Sequence, residues 1–171
     1  HSSSQMVSAD GYEMVSNAGL LGNHINIVHG NELLDKDLDI LVEGGVTFTV
    51  TAEVEMQMSF GNPLSARLLQ KNHSFSIGYD VESAYSPDMF AIARTTMQVE
   101  RHFMSREEQA KTGERPHPIP ITTADAFNWA TLNGAKDFRL DKITGSLEVG
   151  KRADITFLRN TDLNLKNSFN P

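Results

Sequence analysis

Apolar and polar positions along this chain fall into blocks that alternate between a strand pattern and a helix pattern. Residues 25–29, INIVH, are β-branched and apolar up to a terminal histidine, as in a buried strand. Asp35 then caps a helix that carries Leu38, Leu41 and Val42 on one side, and Gly44 with Gly45 ends it. The unit recurs: VTFTVT at 46–51 reads as a strand, Pro63 marks a helix start, and LSARLLQK turns Leu64, Leu68 and Leu69 inward. A third pass puts SFSIGYD at 74–80 on a strand and, after Pro87, DMFAIARTTMQVERHFMSREEQ on a long helix. Ahead of the first unit, GYEMVSNAGLL reads as a helix with Met14, Val15 and Ala18 on one face and Gly19 at its end, so His1 to Gln5 are expected just after a strand. Strands alternating with helices at short spacing predict an α/β fold with a parallel sheet and right-handed crossovers. No helical stretch is apolar all round, so each is expected to cover one face of that sheet.

After Gln109 the pattern changes. AKTGERPHPIPIT carries three prolines in five residues and reads as a loop. Thr122 caps the next helix with Asp125 three residues on, and Phe127, Ala130 and Thr131 follow at helical spacing, with Trp129 expected in the core. ITGSLEVGKRADITFLR predicts two short extended pieces about Gly150, a small β element separate from the earlier units.

Composition narrows the partners. The chain has 171 residues, 39% hydrophobic and 22% charged, enough for one sizeable core. Its 15 Lys+Arg against 22 Asp+Glu give a net charge of −7 without long blocks of one sign, which argues against nucleic acid or an anionic membrane and for a small molecule. There is no cysteine, so any metal needs His, Asp or Glu ligands, in keeping with a cytoplasmic protein. No apolar run approaches the roughly 18 residues of a membrane span, and HSSSQMVSADGYE lacks the pattern of a signal peptide. The first residue is not Met, which suggests a fragment or a processed product.

In parallel α/β folds the chemistry sits at the carboxyl ends of the strands. Those ends collect His1, His29, the segment Thr51 to Glu55, and Asp80. Two imidazoles and a carboxylate are ligand types for Zn²⁺ or Fe²⁺, and a metal-bound water beside a carboxylate is a usual hydrolytic nucleophile. Simpler roles stand beside these: His29 bonded to loop backbone, Asp80 capping the loop before Pro87, and Glu53 with Glu55 alternating along a solvated extended edge. Met56, Met58 and Phe60 at period two suit either a pocket wall or an apolar plug.

Four segments, VHGNELLDKDLDILVEGG, SIGYDVESAYSPDMFAIAR, WATLNGAK and GSLEVGKRADITFLR, together resemble the amidohydrolase superfamily, in the branch of cytosine, guanine and adenosine-type deaminases and triazine hydrolases. They occur in the family's order, and GKRAD after GSLE is the most specific. The resemblance implies the C-terminal half of a (β/α)₈ TIM barrel, units five to eight over residues 1–135, with 136–171 contributing part of a small β-sandwich. His1 is similar to the fifth-strand metal ligand, His29 to the sixth-strand histidine that contacts the substrate or activated water, and Asp80 to the eighth-strand aspartate that binds metal and shuttles protons. The implied cofactor is a divalent metal, Zn²⁺ before Fe²⁺. The implied reaction is attack of metal-activated water on a C–N, or C–Cl, bond of a small cyclic nitrogen compound.

The sequence departs from the family in three places. No His-x-His pair occurs in these residues, and Ser4 stands where deaminases carry a glutamate general acid. TAEVEMQM replaces an H/CPxSN-type stretch, which passes the acid or substrate-binding task to Glu53 or Glu55. Four βα units leave an open sheet edge, so a homo-oligomer is expected. The alternatives are a degenerate homologue that binds a partner without metal, or the same fold running amide hydrolysis or decarboxylation.

Overall fold

The computed structural model describes residues 10–81, 87–159 and 161. Within them the β-branched segments form three parallel strands, β1 (Asn26–Val28), β2 (Thr47–Val50) and β3 (Ser76–Ile77), in that order across one sheet. Asn26 lies opposite Thr47, Thr49 opposite Ser76, and Val50 opposite Ile77. Parallel neighbours require a crossover, and helices supply it here. The helices are α1 (Gly11–Asn17), α2 (Asp35–Glu43), α3 (Ala52–Gln57), α4 (Ser65–Gln70), α5 (Met89–Thr112), α6 (Thr123–Ala130) and α7 (Leu132–Asp137). None is long and apolar enough to cross a membrane.

The core forms where these elements turn their apolar sides together. Leu38 and Leu41 of α2, Phe48 and Val50 of β2, and Leu64 with Leu68 around α4 are all buried, as their spacing predicts. Asp35 is the first helical residue of α2 and Leu34 occupies the cap, so Asp35 acts on the positive end of the helix dipole. In α1 the expected face of Met14, Val15 and Ala18 is not buried, and Met14 is largely exposed.

Helix α5 begins where the Asp88 carboxylate accepts a hydrogen bond from the Phe90 amide at 2.9 Å, and it ends at Gly113 with φ +80. It runs three residues past Gln109, into the stretch expected to be loop. Thr122 and Asp125 form the reciprocal capping box at the start of α6. That helix buries Ala126 and Trp129, with the indole 4.8 Å from the Phe75 ring between centroids, while Phe127 faces out. The apolar face is thus offset from the one the sequence predicts, because the sheet offers Phe75 as the surface to cover. Gly134 lies inside α7 and ends no helix.

Residues 138–159 contain turns and irregular chain but no strand, where two extended pieces are predicted. An extended segment needs a ladder partner to persist, and none of the described residues pairs with it. Val149 and Phe157 are almost wholly exposed in consequence.

Candidate active site

The three strands deliver their carboxyl ends to one edge of the sheet. His29 extends the β1 ladder by one bond, its amide donating to the Thr49 carbonyl at 3.0 Å. The backbone then leaves the sheet through two left-handed residues, His29 with φ +70 and Gly30 with φ +78. A side chain at Gly30 has no room, since its Cβ would lie 2.9 Å from Leu64 Cδ2 and 3.0 Å from Leu33 Cδ1. Glycine at position 30 therefore suits this strand exit, both for its left-handed backbone and for the crowding around it. Asp80, beyond β3, is also left-handed, with φ +66. His and Asp are among the few side chains that tolerate this region.

These two turns bring His29 Nε2 to 3.9 Å from Asp80 Oδ2. The gap is too wide for a direct hydrogen bond. Both groups border one space, the imidazole largely covered and the carboxylate more open to solvent.

Behind the imidazole lies a second cluster. Residues 52–57 are helical, which corrects the extended reading of TAEVEMQM. Helical geometry carries Glu55 back over Thr51, so that Glu55 Oε1 accepts from the Thr51 amide at 2.8 Å and from its hydroxyl at 3.1 Å. Oε2 accepts from Asn31 Nδ2 at 3.1 Å. Thr51 Oγ1 in turn lies 2.9 Å from His29 Nδ1, and Glu55 Oε1 lies 3.4 Å from the same nitrogen. Glu55 has no exposed surface. Its burial corrects the reading as a solvated edge; for the other reading, an acid or substrate-binding role, its contact with the candidate site among the described residues runs through the back of His29. Glu53 is half-buried on the next face of α3 and is not brought into this cluster. Phe60 packs edge-on to His29 with ring centroids 5.9 Å apart, while Met56 and Met58 are exposed. His1 lies outside the described residues.

One more carboxyl stands close to this cluster. Glu100, in the middle of α5, is wholly buried and accepts a 2.5 Å hydrogen bond from Ser65 Oγ, and its Oε2 has no partner among the described residues. Burial pushes its pKa up to about 7; the Ser65 bond opposes this and the neighbouring Glu55 charge adds to it. The signal for Glu100 was present in the sequence: Ile92, Thr96 and Glu100 follow at four-residue spacing, and all three are buried. Asn31 and Ser65 carried no comparable signal, because their partners are distant in sequence; Thr51 is marked as the start of a strand-end segment, but its bonds to Glu55 depend on α3 being helical.

Among the described residues no three His, Cys, Asp or Glu side chains are arranged to hold a metal. An imidazole nitrogen and a carboxylate oxygen facing one space do match the donors a divalent transition metal takes. His29 and Asp80 thus fit one side of such a site.

Parallel strands with a histidine and an aspartate gathered at their carboxyl ends define an α/β protein whose chemistry belongs at that edge of the sheet. The chain belongs to the amidohydrolase family, whose model matches residues 19–171. It is 30% identical over 147 residues to a 5'-deoxyadenosine deaminase of Methanothermobacter thermautotrophicus, covering 85% of this chain and 31% of that protein. It is 28% identical over 160 residues to a 5-methylthioadenosine/S-adenosylhomocysteine deaminase of Teredinibacter turnerae, covering 93% and 34%. The chain therefore spans about a third of the length of the curated relatives it matches. Among solved structures, an adenosine deaminase from Xanthomonas campestris with bound zinc superposes with a TM-score of 0.73 at 22% identity, over 93% of this chain and 34% of that one. A guanine deaminase from C. acetobutylicum with bound guanine gives 0.61 at 20% identity, over 81% and 31%. Both likenesses are likenesses of fold.

Proposed function

We propose that this chain supplies the C-terminal half of a (β/α)₈ barrel, over residues 1–135, and part of a β-sandwich, over 136–171, to a metal-dependent hydrolase. The enzyme would act on a C–N bond of a small cyclic nitrogen compound, by hydrolytic deamination. The observation that carries this reading is the convergence of His29 Nε2 and Asp80 Oδ2, 3.9 Å apart beyond the carboxyl ends of β1 and β3, in a chain of the amidohydrolase family. The deaminase names of the relatives support an aminated purine or its nucleoside as the substrate class.

Asp80 and His1 are the residues assigned to hold the metal, Zn²⁺ in the first instance. The ion, when bound, supplies the positive charge that makes water acidic enough to attack near neutral pH. Asp80 takes a proton from the attacking water and returns it to the leaving amine, so that the C–O bond forms as the C–N bond breaks and ammonia departs. His29 borders the same space and orients that water through Nε2. Phe60, edge-on to the imidazole, forms an apolar wall for a flat heterocycle.

The test is ammonia release from a panel of aminopurines, their nucleosides and aminopyrimidines, by the polypeptide that carries these residues. Asp80→Asn and His29→Ala are each expected to lower kcat/KM by roughly 100-fold or more. Turnover unchanged in both variants would overturn the assignment.

A further inference from the structure

We infer that Glu55, acting through Thr51, is a positioning residue that holds the His29 proton on Nδ1 and leaves Nε2 as an acceptor facing Asp80. The inference rests on the geometry behind the imidazole and deepens the proposed function, which uses only the front of that ring.

Counting donors decides the tautomer. Glu55 Oε1 already accepts from the Thr51 amide at 2.8 Å and lies 3.1 Å from the Thr51 hydroxyl. Its other oxygen accepts from Asn31 at 3.1 Å, so the carboxylate is used as an acceptor on both sides. The Thr51 hydroxyl has one hydrogen, and the carboxylate is its stronger acceptor. Its oxygen, 2.9 Å from His29 Nδ1, must then receive a hydrogen from the ring. The direct approach of Nδ1 to Glu55 Oε1 at 3.4 Å agrees, because a bare nitrogen lone pair there would face oxygen lone pairs. With the proton fixed on Nδ1, neutral His29 presents a lone pair at Nε2. That lone pair suits the hydrogen of a water held beside Asp80, and it excludes hydrogen-bond donation to a substrate carbonyl from the neutral ring.

The arrangement also explains why α3 begins where it does. Thr51 closes β2 and is the N-cap of α3, so its amide and hydroxyl both project towards the carboxylate one turn later. A carboxylate at 55 with no exposed surface gains nothing from solvent and is held by Thr51 and Asn31. Asn31, two residues after His29, further ties the strand exit to the Asn62 carbonyl at 3.0 Å. The imidazole is thereby fixed from behind by groups that do not face the space shared with Asp80.

The experiment is long-range ¹H–¹⁵N correlation NMR of ¹⁵N-histidine-labelled protein, at a pH where the ring is neutral. In the unmodified protein, His29 is expected to show a protonated Nδ1 and an unprotonated Nε2. Glu55→Gln keeps an acceptor oxygen facing Thr51 and is expected to keep that pattern. Glu55→Leu and Thr51→Val, two different ways of cutting the relay, are each expected to shift the proton towards Nε2. Under the proposed function these two variants would also lower kcat by about 10- to 100-fold with a smaller change in KM. An unmodified protein with the proton on Nε2 overturns the inference, as does an unchanged tautomer in both Glu55→Leu and Thr51→Val. Failure of the deaminase reading gives a different result: no ammonia release from any substrate, with the tautomer shifting as described.

Discussion

Replacing Glu100 with glutamine should change how stability depends on pH, by an amount the structure sets. The carboxyl is wholly buried within α5, and its pKa is raised from 4.5 to about 7 by loss of water around it. Between these values the folded protein retains a proton that the unfolded chain has released, so unfolding is favoured more as pH rises. At about 1.4 kcal/mol per unit of pKa difference, the raised value costs about 3 kcal/mol of stability by pH 7. Below pH 4.5 both states are protonated and the contribution vanishes; well above pH 7 it is constant. Glutamine keeps the shape and the acceptor for Ser65 Oγ but does not titrate. The stability of Glu100→Gln minus that of the unmodified protein should therefore rise by about 3 kcal/mol between pH 4 and 8, with the change centred in the window from 4.5 to 7. Urea denaturation at half-unit pH steps measures this difference, and titration of Asp137, itself raised to about 6 by burial, is common to both proteins and cancels. A flat difference across the range would show that Glu100 ionises in the fold as readily as in the open chain, and would refute the argument from desolvation.

Two further substitutions test the packing. Phe75→Ala removes a fully buried ring and the partner of Trp129, and is expected to cost about 3–5 kcal/mol in chemical denaturation. Thr122→Ala breaks the capping box of α6 and is expected to cost about 1 kcal/mol, seen as a lower thermal midpoint.

The alternation of strand and helix was legible because buried parallel strands and one-sided helices leave different periods in the sequence. It predicted β1, β2 and β3 and placed His29 directly after β1, whereas the third strand, expected over 74–80, stops at Ile77, three residues before Asp80. The same reasoning failed at residues 52–57, where glutamates two apart on a strand-like run suggested extended chain. There Ala52, Glu53, Glu55, Met56 and Gln57 are good helix formers, and Thr51 breaks the strand with φ −124 and ψ 62. Local propensity was the stronger signal. Helical spacing groups Phe127 with Ala130 and Thr131, yet Phe127 faces out, while Trp129, expected in the core, is buried against Phe75 and sets the register of α6. Glu55 was singled out for its charge, but which side of His29 it occupies depends on a helix that the pattern did not reveal. The four-residue spacing of Ile92, Thr96 and Glu100 marks the buried side of α5, but that Glu100 meets Ser65 there depends on a contact between residues 35 apart.

Under the proposed function, the left-handed backbone at His29 and Asp80 would set stability and chemistry against each other at the same two positions. Glycine at either would relax the backbone, by roughly 1 kcal/mol or more for such conformations. A search for stabilised variants that scores only folding should therefore keep returning His29→Gly and Asp80→Gly, each of which discards a side chain from the space the two share. Ser59, Asn72 and Arg139 share the left-handed backbone without sharing that space, so it is the convergence of two such side chains, and not the angle by itself, that sets His29 and Asp80 apart.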